Sequence, residues 1–134
     1  MKKVIGIKLV CLQALLLFVV ACSGPSGQEA KLVGRWQTTE MLAKAMVEYH
    51  ADHSLTLSAA TLFGSFNASG TWRLDGDEII HEDIQSTTAS NSMLSAGESG
   101  GRSKIVQLDD SKLVVRQFKN GDWSSETITY QRLR

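Results

Sequence analysis

The stretch GTWRLDGDEII, residues 70–80, decides the fold of this chain. Trp72 and Leu74 alternate with Thr71, Arg73 and Asp75, which is the period of a half-buried strand. Asp75-Gly76-Asp77 interrupts the pattern, and EIIHEDIQ, residues 78–85, resumes an extended run. Asp-Gly between two such runs predicts a tight hairpin, because the central residues of a type I′ turn need positive φ.

The same punctuation recurs on both sides. Downstream, SKIVQL (103–108) and KLVVRQF (112–118) flank Asp109-Asp110-Ser111. KLVVRQF and WSSETITYQRL (123–133) flank Lys119-Asn120-Gly121-Asp122, where Asn-Gly again predicts a hairpin. Upstream, LVGRWQTT (32–39) reads as the first strand. Between Glu40 and His50 two periods compete: Met41, Leu42, Ala45, Met46 and Tyr49 share a helical face, whereas Ala45, Val47 and Tyr49 alternate. Because HADHS (50–54) looks like a turn into SLTLS (54–58), a hairpin is favoured there over a helix. The expected fold is mainly β, an antiparallel up-and-down meander closing into a small barrel of about eight strands.

The three tryptophans each follow a glycine by two residues, in Gly34-Arg35-Trp36, Gly70-Thr71-Trp72 and Gly121-Asp122-Trp123. Glycine supplies unusual backbone angles at a strand start or turn end, and the tryptophan falls on the same strand face, expected to point inward. Phe66 before NASG (67–70) and Phe118 before Lys119-Asn120-Gly121 are expected to sit across hairpins from Trp72 and Trp123.

Gly34-x-Trp36 at the first strand resembles the signature of lipocalins and of lipocalin-like bacterial lipoprotein domains, and the overall pattern is similar to theirs over most of residues 32–134. The resemblance implies that Trp36 closes one end of an eight-stranded barrel and packs against an arginine of the last strand. Arg132, which alternates with Ile128 and Tyr130, is the matching position, so Gly34, Trp36 and Arg132 form the expected closure set.

The chain opens MKKVIGIKLVCLQALLLFVVACSG, with Lys2, Lys3 and Lys8 leading into the apolar run Leu9 to Ala21. A spanning helix needs about 20 apolar residues, so this shorter run reads as a secretory signal. Val19-Val20-Ala21-Cys22 resembles the lipobox of bacterial lipoproteins. That resemblance implies cleavage before Cys22 and attachment of a diacylglycerol and a further acyl chain, such as palmitate, to that residue. Each buried methylene adds about 0.8 kcal/mol to such an anchor. Ser23 in place of an aspartate implies the outer membrane, facing the periplasm. The expected organisation is a signal peptide at 1–21, a flexible Gly/Ser/Pro-containing tether at 22–31 and a barrel domain at 32–134.

Cleavage leaves 113 of the 134 residues, enough for one domain. Three of the 14 basic residues and none of the 14 acidic ones precede Cys22, so the mature chain is mildly acidic, and no Lys/Arg cluster points to nucleic acid. Cys11 lies in the signal and Cys22 is the lipid site, which leaves the domain without thiol or disulfide chemistry. The run STTASNSMLSAGESGGRS (86–103) reads as a long mobile loop, or as a gate over the barrel with Met93 and Leu94 as its large apolar groups. Its Gly97-Glu98-Ser99-Gly100-Gly101 matches a hydrolase pattern without the strand-to-helix elbow that a nucleophilic serine needs. His50 and His53, beside Glu48 and Asp52, have a spacing used in zinc half-sites, but they straddle the expected turn; His81-Glu82-Asp83 lies apart. No catalytic residue, metal site or cofactor is therefore expected. The lipobox resemblance, the meander and the absence of a catalytic context together favour an envelope lipoprotein binding a small apolar ligand in its barrel, or alternatively a solid-cored inhibitor or assembly factor that binds an envelope protein.

Overall fold

The computed structural model describes residues 27–38, 44–62, 64–86 and 100–134. A short helix, α1 (Gly27–Leu32), leads into β1 (Gly34–Thr38), β2 (Lys44–Tyr49), β3 (Ser54–Thr61), β4 (Gly64–Asp75), β5 (Glu78–Ser86), β6 (Gly100–Leu108), β7 (Lys112–Lys119) and β8 (Asp122–Leu133). Each strand pairs antiparallel with the next, and β8 returns to pair with β1, closing an eight-stranded barrel. The closing register places Trp36 opposite Arg132 and Thr38 opposite Tyr130. The segment with two competing periods resolves as strand β2 over its described part, in register with Leu55, Leu57 and Ala59 of β3.

Local chemistry accounts for the turns. Asn120 and Gly121 both take positive φ, 54° and 83°, between the paired residues Lys119 and Asp122, as a type I′ turn requires. The Asp-Gly turn differs from expectation: its central pair is Gly76-Asp77, and of the two only Gly76 has positive φ, the signature of a II′ turn. Between β2 and β3, His50 N–H donates to Ser54 O, His53 N–H donates to His50 O, and His53 sits at φ 66°. That is a three-residue loop whose last residue is left-handed. Asp109 organises the β6–β7 turn by accepting from the backbone N–H groups of Ser111 and Lys112 at 2.9 and 2.8 Å.

Register shifts at Ser69/Thr71, Ile105/Gln107 and Arg116/Phe118 bend the strands, as closing a barrel this small demands. The first shift pairs with Asp83 at φ 53°, and it leaves Gly70 under the Ile84 side chain.

Three expectations are corrected. NASG is not a turn but the middle of β4, where Ala68 is buried, and Phe66 pairs with Ala59 rather than Trp72. The chain reverses earlier, between Thr61 and Gly64, because alternation in register with β3 outweighs the local turn propensity of Asn and Gly. Phe118 does meet Trp123, with ring centroids 5.2 Å apart, but the pair lies on the outer wall and not inside. Phe118 alternates with exposed Arg116, away from buried Val115, and Arg102 of the outer β6 face lies 5.0 Å above its ring. Residues 27–31 of the expected tether are helical, because α1 docks through buried Leu32 onto the end of the barrel.

The core sits at one end. Leu32, Trp36, Val47, Tyr49, Leu55, Trp72, Ile79, Leu113 and Val115 form a single buried cluster next to α1 and to the turns at His50–His53, Gly76–Asp77 and Asp109–Ser111. The strand ends Thr38, Lys44, Thr61, Gly64, Ser86 and Gly100 and the Asn120–Gly121 turn lie at the other end.

Candidate binding site in the barrel interior

The floor of the barrel is built on the expected closure residues. Trp36 is fully buried, and its indole N–H donates to Leu32 O at 2.8 Å. The guanidinium of Arg132 stacks over the Trp36 ring at 4.2 Å, donating to Val33 O at 2.9 Å and also to Lys31 O. The last carbonyls of a helix have no partners within it, so these donors satisfy the end of α1 and fasten it as a plug. Gly34 explains itself in the same contact. Its φ is 139°, and a side chain there would run into Arg132 Nη1. The structure thus brings Gly34, Trp36 and Arg132 into one cluster at the end of the barrel. The other end of α1 is tied to the β2–β3 turn by an ion pair between Glu29 and His53.

Above this floor lies an aromatic layer that the sequence reading did not single out. Tyr49 meets Trp72 edge-on at 5.3 Å and stacks against His81 at 5.8 Å. Trp72 N–H donates to His53 O, and its indole N–H donates to His50 O at 3.1 Å, which fixes the layer to the turn. Tyr49 Oη lies 2.9 Å from His81 Nε2. Burial pushes the Tyr49 phenol well above its ordinary range, with nearby Tyr130 adding to the shift, and burial lowers the His81 imidazole to about 4. Both side chains are therefore neutral at pH 7. Pairing each inward position with its neighbour across the strands would have pointed to them, since Trp72 stands opposite His81.

Toward the other end the inward positions change character. Register carries the inner face from buried Val47 and Ala68 to Ala45, Leu57, Ala59, Phe66, Ile84, Gln117 and Ile128, all only half-buried. Several are small, and Gly101 on β6 has no side chain at all, so among the described residues the inward side chains here are smaller and less buried than those of the floor.

The other candidates resolve as follows. Cys22, Met93, Leu94 and Ser99 lie outside the described residues. His50 and His53 share the β2–β3 turn, where His53 packs on Trp72 at 5.1 Å, while His81 points into the barrel. Among the described residues no group of three or more His, Cys, Asp or Glu side chains is placed to hold a metal ion.

No protein-family profile and no curated protein matches the chain. Among solved structures, a lipocalin-like protein from Bacteroides uniformis matches at TM-score 0.54 and 17% identity, covering 78% of this chain and 99% of its own. An uncharacterized protein from Bacteroides eggerthii matches at TM-score 0.49 and 17% identity over 76% of this chain and 99% of its own. The likeness to the first of these is one of fold, and the closed eight-stranded barrel of this chain is lipocalin-like in that sense.

Proposed function

We propose that this protein is a bacterial envelope lipoprotein, anchored through lipid on Cys22, whose barrel is a non-catalytic binding module for a small apolar ligand. The observation that carries the binding reading is the one-sided filling of the barrel. One end is sealed by α1, Trp36 and Arg132, and the inward Ala, Leu, Phe and Ile positions toward the other end are only half-buried. Ligand sites are mostly apolar concavities with a few placed polar groups, which this arrangement matches.

Anchoring at Cys22 rests on the lipobox resemblance. Four residues lie between Cys22 and Gly27, the start of α1 on the floor side, a reach of at most about 18 Å. The floor would face the membrane, proposed as the outer membrane, and the mouth would face the periplasm. Two measurements test the two halves. Full-length protein should incorporate labelled palmitate in a bacterial host, and Cys22→Ser should abolish the label. Purified in detergent, it should retain an apolar fluorescent probe at one equivalent; failure to retain any hydrophobic probe would remove the binding reading.

A second reading, binding of an envelope protein, is favoured by the outer wall, where Arg102 and Lys104 lie over Phe118 and Trp123. It expects a cross-linked partner that is lost in Trp123→Ala.

A further inference from the structure

The polar inward groups of the barrel wall are unevenly placed: among the apolar side chains of β5, β6 and β7 stand three polar ones. Strands β2, β3 and β4 turn Ala45, Val47, Leu57, Ala59, Phe66 and Ala68 inward. Strands β5, β6 and β7 turn inward His81, Ser103 and Gln117 among Ile79, Ile105, Leu113 and Val115: His81 stands opposite Gly101, and Ser103 between Ile79 and Gln117. We propose that His81 is the recognition group for the carboxylate head of a long-chain amphiphile bound in the barrel, with Ser103 and Gln117 on the same wall. This inference rests on the barrel being a ligand site.

Three features support it. The Tyr49 hydroxyl holds Nε2 of His81 at 2.9 Å, so the ring is oriented before any ligand arrives. With Tyr49 protonated and donating to Nε2, the imidazole's own hydrogen is assigned to Nδ1, which is then a donor. Nδ1 has no hydrogen-bond partner among the described residues and faces Gly101, where even a methyl group would come no closer than 3.9 Å. A larger side chain at that position would cover the nitrogen; glycine leaves it open.

The charge environment sets the sign of the pH effect. The inward side chains of β2, β3, β4 and β6 are uncharged, including Tyr49, Trp72 and Ser103 around the ring, and those of β7 are uncharged up to Gln117. On β8 the inner face carries Tyr130, with Arg132 committed to the α1 carbonyls at the floor and Glu126 exposed toward the mouth. The inner-face cations of the described strands are Arg132 at the floor and Lys119, which is exposed at the end of β7 beside its turn partner Asp122. A bound carboxylate accepts from Nδ1–H, and its charge is balanced by a proton taken up at Nε2, where the Tyr49 hydroxyl turns to accept from it, so that His81 becomes an imidazolium. Binding should take up that proton from solution, and a neutral head of the same chain length should not.

The experiment is calorimetric titration of the full-length protein in detergent-exchanged buffer with dodecanoate and with dodecanol, in two buffers of different ionisation enthalpy. Between pH 7 and 8 the expected result is uptake of close to one proton per dodecanoate, and affinity falling up to tenfold per pH unit. Dodecanol should show neither effect. In His81→Gln the dodecanoate-to-dodecanol affinity ratio should fall at least tenfold with dodecanol affinity unchanged, which also reports that the variant is folded. Equal ratios in the wild type and His81→Gln, or no proton uptake by the wild type, would overturn the assignment of His81 while leaving the barrel as a binding site. Binding of neither ligand would overturn both.

Discussion

Gly34, Trp36 and Arg132 act as one joint, and each contributes something the others cannot replace. Alanine at 34 meets both a φ of 139° and the Arg132 guanidinium, so Gly34→Ala should cost roughly 1–3 kcal/mol. Most of that loss should appear as faster amide exchange in α1 and β1, because Arg132 must release the carbonyls it holds. Trp36→Ala removes the largest fully buried side chain together with its bond to Leu32 O. A loss of about 3–5 kcal/mol in urea denaturation is expected, enough to unfold a domain of ordinary stability. His81 gives a pH signature of the opposite kind to a salt-bridged histidine. Its folded pKa, about 4, lies below the ordinary 6.5, so the folded state resists protonation. Stability is fully present above 6.5 and declines as pH falls toward 4. Urea midpoints should drop between pH 7 and 4.5, and the decline should be shallower in His81→Gln.

Among the elements, α1 is the one that cannot exist by itself. Six residues are far short of the length at which an isolated helix persists in water. Leu32 under the barrel floor, the Arg132 bonds and the Glu29–His53 pair hold it in place. The β6–β7 hairpin depends instead on one carboxylate. Hydrogen bonds from the Ser111 backbone, the Gln107 side chain and the Lys112 backbone hold Asp109 down to about 2. Its contribution is present above 3.8 and is lost as pH falls through about 2, so an NMR titration of its carboxyl should still show it ionised at pH 3. At the opposite hairpin, the type I′ pair Asn120-Gly121 is intolerant of ordinary residues, and Gly121→Val should cost about 1–2 kcal/mol with Lys119 and Asp122 amides losing protection.

On the scale of the whole molecule, closure leaves no free sheet edge: β1 is satisfied on one side by β2 and on the other by β8. Because the closing pair joins residues almost a hundred positions apart, the last strand must be in place before the first is fully paired. Folding should therefore be slow for a domain this size, in milliseconds to seconds, and unfolding should be a single transition seen alike by tryptophan fluorescence and far-UV circular dichroism.

Alternation and turn chemistry are local, and they alone determined the β class, the meander order and three hairpins, since Asn120-Gly121, Gly76 and Asp109 act through their own backbone angles and hydrogen bonds. The pairing of Trp36 with Arg132 was also legible, from the Gly-x-Trp spacing and the alternation of the last strand. What tertiary structure decided is what depends on register between distant strands. The shift at Arg116/Phe118 accompanies Phe118 and Trp123 on the outer wall. Alignment with β3 kept NASG extended, docking on the floor made a helix of the tether's end, and the pairing of β5 with β4 set His81 beside Tyr49 inside the barrel. None of these has a local signal, because the energy that selects each comes from contacts with residues far along the chain.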